Sequence, residues 1–200
     1  LSPVQQRQVL GAVPPAELFE ISAAEITART GLSRGAAEKM AAFRDWDAVS
    51  LLLEKMHQAG IRMISFLDRR YPYDSPDAAE TLPPILFVKG DLSKWVRRGV
   101  AVVGTRRPDA YGRKVAYAVG AEAAARSIPL ISGMALGVDG ESHRGALENG
   151  GFTVAVMGCG LLHIYPPSHR ELFERICVSG VAVSQFLPSQ EPDARYFPSR

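Results

Sequence analysis

Three short apolar runs, each stopped by glycine and each followed by a stretch of helical length, constrain this chain more than any other feature. Val100–Val103 ends at Gly104, Pro129–Ser132 at Gly133, and Thr153–Met157 at Gly158-Cys-Gly160. Tyr111–Ala125 and Gly140–Asn149 read as the intervening helices, and Pro167–Ser179 leads into a fourth run, Val181–Ser184. Strands alternating with helices require right-handed crossovers and a parallel sheet. The expectation is an α/β, Rossmann-like sheet covered on both faces, with Val100–Val103 buried on both sides. In an open sheet of this kind the glycine-bearing strand ends share one edge, where such folds take ligands.

The first of these ends carries the chemistry. Gly104, Thr105, Arg106 and Arg107 precede a helical pattern that starts at Asp109. Free backbone N–H groups beside the positive end of a helix form a seat for a phosphate. Two guanidinium groups add forked donors for its oxygens, and glycine lets the anion approach. Arg106 and the backbone N–H groups of Thr105, Ser132 and Gly133 are expected to hold one phosphate. The dinucleotide fingerprint is absent, because the second and third glycines of G-x-G-x-x-G are missing. The G-K-[ST] loop of nucleoside triphosphatases is absent too.

Asp139 and His143 lie four residues apart on one helix face. They read either as an acid–base pair or as structural support. In the second reading Asp139 caps the helix or holds the Ser132–Gly137 loop, and His143 bonds to it. No serine sits in a nucleophile elbow, Cys159 has no histidine partner in sequence, and His163 and His169 lack ligand spacing. No catalytic group, metal or cofactor is expected. Arg195, Tyr196, Phe197 and Arg200 interleave aromatics with cations, which suits single-stranded nucleic acid: bases stack on rings while cations take phosphates.

Residues 1–59 read as all-helical, and 60–200 as the Rossmann-like domain. Pro14-Pro15, Ser22 with Glu25, Ser33, and Asp45 or Asp47 mark helix starts, and Gly31 and Gly60 mark stops. Thr30–Gly35 has a weak helix-hairpin-helix look. The competing reading is a small bundle for protein contacts or spacing, favoured by six Lys and Arg against seven Asp and Glu in residues 1–60. Residues 61–200 carry seventeen against fourteen, so a polyanion would bind there. Ile61–Phe66 and Ile85–Lys89 read as strands that extend the sheet at its edge. No apolar run reaches the roughly 20 residues of a membrane span, and no basic-then-apolar leader opens the sequence. Two cysteines without metal spacing suit a reducing cytoplasm. The start at Leu1 and the abrupt end at Arg200 read as part of a longer protein.

From about Ile61 to Arg200 the chain resembles the DNA-processing protein A (DprA, or Smf) family. The resemblance rests on Tyr71-Pro72, Pro84–Gly90, Val100–Arg106, Tyr111-Gly112, Ile131–Asp139 with His143, Ala146-Leu147, Val154–Gly160 with Tyr165-Pro166, and Phe197–Arg200. It implies a domain that binds single-stranded DNA, delivers the recombinase RecA in natural transformation, pairs as a homodimer through the Rossmann domain, and performs no catalysis. Gly104-Thr105-Arg106 matches the family's phosphate pocket, and Phe197, Pro198 and Arg200 match a Phe-Pro-x-Arg stretch beside it. Gln185–Pro188 replaces the family's usual Ser-Glu-Tyr-Pro. The family usually continues past this point with Asn-Arg, a helix, and often a winged-helix domain. The N-terminal helices resemble the sterile-alpha-motif-like domain of some members. The rival implication is an enzyme: a related Rossmann-like group hydrolyses nucleoside monophosphates, but its Pro-Gly-Gly-x-Gly-Thr-x-x-Glu motif is missing here. A third is a non-catalytic nucleotide sensor.

Overall fold

The computed structural model describes residues 2–72, 82–95 and 98–198. The chain divides into two compact units: Leu1–Leu51 with Tyr73–Pro84, and Leu52–Pro72 with Ile85–Arg200. The division falls inside a helix, Trp46–Gln58, rather than at the 59/60 boundary expected from composition. A continuous helix carries no break in local pattern where its packing partners change.

The first unit holds α1 (Pro3–Ala12), α2 (Pro15–Leu18), α3 (Ala23–Thr30), α4 (Arg34–Ala41) and the start of α5 (Trp46–Gln58). Its starts and stops follow local chemistry. The Ser22 hydroxyl accepts from Glu25 N–H, Asp45 accepts from Ala48 N–H, and Gly31 ends α3 in the left-handed region. Ser33 occupies the cap position of α4 but makes no side-chain cap bond. Val9, Val13, Leu18, Ile26, Leu32 and Ala37 form a separate small core.

The second unit is built on a six-stranded sheet. Its strands are β1 (Ile61–Ser65), β2 (Ile85–Gly90), β3 (Val100–Ala101), β4 (Leu130–Ser132), β5 (Thr153–Val156) and β6 (Val181–Ser184), in the order β1-β2-β6-β5-β4-β3. β3 to β6 are parallel, while β2 runs antiparallel to both β1 and β6. Between the parallel strands lie α6 (Ala110–Ala125), α7 (Val138–Glu148) and α8 (Arg170–Ser179). This is the expected Rossmann-like class, with the two early strands extending the sheet.

Coverage of the sheet differs from expectation. β3 to β6 are neighbours in chain order, so each right-handed crossover steps the same way and brings its helix to the same face. Leu130 packs with Ala123 of α6 and Ala146 of α7, and Ala155 packs with Leu172 and Phe173 of α8. Val154, Val181 and Val88, on the opposite face at the sheet's centre, are also fully buried. β3, last in the order, is an edge strand: Val100 is half-buried, Ala101 is exposed, and Val103 beyond it is 79% exposed. It is therefore not buried on both faces.

The small residues of α6 serve helix against helix more than helix against sheet. A Cβ on Gly120 would stand 2.1 Å from the Ser142 carbonyl oxygen, and one on Gly145 would stand 2.0 Å from that of Tyr117. Only glycine allows α6 and α7 to approach so closely.

Candidate functional site

The parallel register brings the C-terminal ends of β3, β4 and β5 to one edge. A cleft opens there between Arg106, from the β3–α6 loop, and Gly133, Ala135 and Leu136, from the β4–α7 loop. Tyr165, Pro166 and Phe197 complete its wall. Of the expected site residues, Arg106, Gly133 and Phe197 thus line one cavity. Thr105 and Arg107 are exposed in the same turn. Arg200 lies outside the described residues.

Arg106 is exposed and has no ion-pair partner among the described residues. Its guanidinium carbon stands 5.7 Å from the centroid of the Phe197 ring, a cation–π arrangement. The opposite role was expected of Gly104 and Gly158. A Cβ on Gly104 would meet the Val138 side chain at 2.8 Å, and one on Gly158 would meet Phe197 Cδ1 at 2.4 Å. These glycines admit protein side chains rather than an anion. Gly160 is buried, and its N–H donates to the Gln190 carbonyl at 2.8 Å.

The β4–α7 loop is held from several sides. Asp139, 3% exposed, accepts from the N–H groups of Gly133 (3.1 Å) and Ala135 (3.2 Å) through Oδ2. The Val138 N–H donates to the Thr105 carbonyl at 3.2 Å, and Gly140 N–H donates to the Ala135 carbonyl at 3.1 Å. His169 Nδ1 donates to the Met134 carbonyl at 3.1 Å. Met134, fully buried, sits at φ 63°, a conformation that non-glycine residues rarely adopt. Two parts of the expected phosphate seat are therefore spoken for. Gly133 N–H belongs to Asp139. Ser132 is buried in the ladder opposite Ala155, and its hydroxyl donates to the Val102 carbonyl at 2.6 Å. What faces solvent is the turn of Thr105, Arg106 and Arg107.

Asp139 and His143 do not form an acid–base pair. Helix α7 starts at Val138 rather than near Gly140, so Asp139 lies in its first turn and turns back to the loop. His143 is fully buried, and its Nδ1 donates to the Thr153 hydroxyl at 2.7 Å, which in turn donates to the Leu130 carbonyl at 2.9 Å. Its Nε2 has no partner. Burial, with smaller contributions from His169 and Arg144, holds the His143 pKa down at about 3. His169 is also lowered by burial. The support role of His169 was missed because nothing in its spacing points to a carbonyl 35 residues away.

Arg195 is committed elsewhere. Its Nε and Nη2 both bond the Asp193 carboxylate, at 3.0 and 2.6 Å, and the Arg195 guanidinium holds Asp193 at about 2. Its charge reaches the surface already paired. Among the described residues no three His, Cys, Asp or Glu could hold a metal ion, and no helix is long and apolar enough to cross a membrane.

A parallel sheet with an exposed arginine on the turn at its strand ends defines a Rossmann-like protein with a cationic cleft. A family model described as DNA recombination-mediator protein A matches residues 62–200, and the chain belongs to that family. It is 31% identical over 150 residues to DNA processing protein DprA of Bacillus subtilis, covering 74% of this chain and 50% of that protein. It is 35% identical over 136 residues to DprA of Streptococcus pneumoniae, covering 68% of this chain and 48% of that protein. The crystal structure of DprA from Streptococcus pneumoniae superposes with a TM-score of 0.80 at 28% identity, over 100% of this chain and 68% of that one. DNA processing protein A from Helicobacter pylori, whose structure is described for its single-stranded DNA binding mode, gives 0.56 at 25% identity, over 68% of this chain and 60% of that one. The chain spans half or less of the length of the curated relatives it matches.

Proposed function

We propose that this chain carries the single-stranded-DNA-binding part of a recombination mediator acting in the cytoplasm in natural transformation. It would hand the strand to the recombinase RecA, and it would work as a homodimer. The observation that carries the binding step is Arg106: exposed, without a carboxylate partner among the described residues, and laid against Phe197 at the meeting point of three parallel strand ends. A guanidinium held on a ring loses less freedom when it takes a phosphate, and the turn from Thr105 to Arg107 presents the adjoining donors. Membership of the recombination-mediator family and the DNA-binding Helicobacter pylori relative support the same reading.

Binding rather than bond cleavage is the role. The His143 imidazole is sealed from solvent, and the Asp139 carboxylate is engaged by two loop amides. Neither is placed to move a proton for a substrate in the cleft.

A gel-shift titration with single- and double-stranded oligonucleotides at one salt concentration tests this. Losing a charge-assisted phosphate contact costs roughly 1.5–3 kcal/mol. Arg106→Ala is therefore expected to weaken single-strand binding about tenfold or more, with the affinity of the parent falling steeply as salt rises. Equal affinity of variant and parent, or a flat salt response, overturns the proposal.

A further inference from the structure

The aromatic side chains at the cleft are not equivalent. Phe197 is half-buried over Gly158, at a separation that no Cβ would allow, and carries the Arg106 guanidinium 5.7 Å from its centroid. Its neighbourhood is filled from below and from the side. Tyr196 is paired with Phe186, ring centroids 4.7 Å apart. Tyr165 differs: it lines the cleft, its ring lies 5.4 Å from that of Phe197 at 33°, and it is 39% exposed. Leu136, 43% exposed, adds an aliphatic surface to the same cleft.

We infer that Tyr165 is the platform on which a base of the bound strand stacks, while Phe197 supports Arg106 from beneath. The inference rests on the single-strand reading above and deepens it. Arg106 and Tyr165 both stand against the Phe197 ring, 5.7 and 5.4 Å from its centroid, and line the same cleft. A phosphate at the guanidinium would thus leave its own base beside the open tyrosine ring and against Leu136. Stacking of this kind is tolerant of base identity, since every base has a π face. The cleft would therefore divide the strand into two contacts: charge at Arg106 and ring at Tyr165.

The test uses fluorescence anisotropy with labelled oligo-dT and with an abasic deoxyribose-phosphate oligomer of equal length, at one salt concentration. The parent is expected to prefer oligo-dT. Tyr165→Ala is expected to weaken oligo-dT about tenfold, as loss of one base–aromatic stack does, and to leave the abasic oligomer unchanged. Tyr165→Phe is expected to match the parent on both. Phe197→Ala is expected to weaken both, because it frees the guanidinium. Tyr165→Ala binding oligo-dT like the parent, or losing the same factor on both oligomers, overturns the inference. A parent that binds both oligomers equally also overturns it while leaving the phosphate contact standing. A parent that binds neither ends both proposals. The parent's own preference and the conservative Tyr165→Phe keep the question decidable if the alanine variant fails to fold.

Discussion

Two loops meet at the cleft and obey opposite rules. The β4–α7 loop is buried at Gly133 and Met134 and held from within, with Leu136 left open to the cleft: Asp139 takes two of its amides, His169 takes a carbonyl, and Met134 is pinned in a left-handed conformation. The β3–α6 loop, from Gly104 to Pro108, sends Thr105, Arg106 and Arg107 into solvent; its Thr105 hydroxyl accepts from Arg107 N–H and its Thr105 carbonyl accepts from Val138 N–H. One loop is a floor and the other a rim. Stability and binding should therefore separate: substitutions in the floor should unfold the protein, and substitutions in the rim should leave it folded and weaken its hold on an anion.

The largest expected effect is on the floor and is driven by pH. The unfolded chain protonates His143 near 6.5, whereas the folded chain resists until about 3. Its buried imidazole thus contributes stability that is present above pH 6.5 and lost as pH falls toward 3. At roughly 1.36 kcal/mol per pH unit, the loss comes to about 3 kcal/mol by pH 4, and His169 adds in the same direction. Among the carboxylates held low, Asp68 and Asp193, at about 2, give up their stabilisation only below about pH 4, and Glu17, lowered by its hydrogen bond from Arg29, gives up its own below about 4.5. Urea titrations at pH 7, 5.5 and 4.5 isolate the histidines. Stability that stays level across that range would show that the floor tolerates charge, and the division would fail there.

Next in size is Asp139→Ala, which strands the Gly133 and Ala135 amides. Unsatisfied buried donors cost about 1–3 kcal/mol each, so a loss of about 2 kcal/mol or more in denaturant titration is expected, with any fall in DNA affinity following the loss of structure. A variant as stable as the parent would mean that the loop does not depend on its carboxylate. Arg106→Ala is the mirror case: stability within about 0.5 kcal/mol of the parent alongside the tenfold fall in oligonucleotide affinity. A large drop in melting temperature would make Arg106 part of the floor. The smallest effect is expected at Arg195→Ala, less than a threefold change in affinity, because Asp193 already neutralises that guanidinium. A loss as large as that at Arg106 would show that the ion pair opens on binding and that the rim extends to the 3₁₀ turn Ala194–Tyr196.

How much could be read beforehand follows the same division. The alternation of strands and helices, the position of each glycine-bearing strand end, and the exposed arginines of the turn are local patterns, and they were legible. So were the cap at Ser22 and the stop at Gly31, while the choice between Asp45 and Asp47 was left to the structure, which takes Asp45. The roles within the site were less so. Gly104 and Gly158 look like openings for an anion, but Val138 and Phe197 fill the space beside them. The Gly133 N–H looks like a donor to a ligand, but Asp139 receives its hydrogen, and Ser132 lies buried in the ladder opposite Ala155 rather than open to a ligand. His143 was matched to Asp139 by helical spacing, yet its partner is Thr153 on β5.

Hydrophobic period, glycine placement and charge sign act over a few residues, so the amino-acid order alone determined the α/β class, the edge at which a ligand would bind and the cations available there. The order of strands across the sheet, the single face shared by α6, α7 and α8, and the partner of every polar group at the cleft depend on which distant segments become neighbours. Only the tertiary structure decided these, because a hydrogen bond or a ring contact is chosen by distance in space, and spacing along the chain does not encode it.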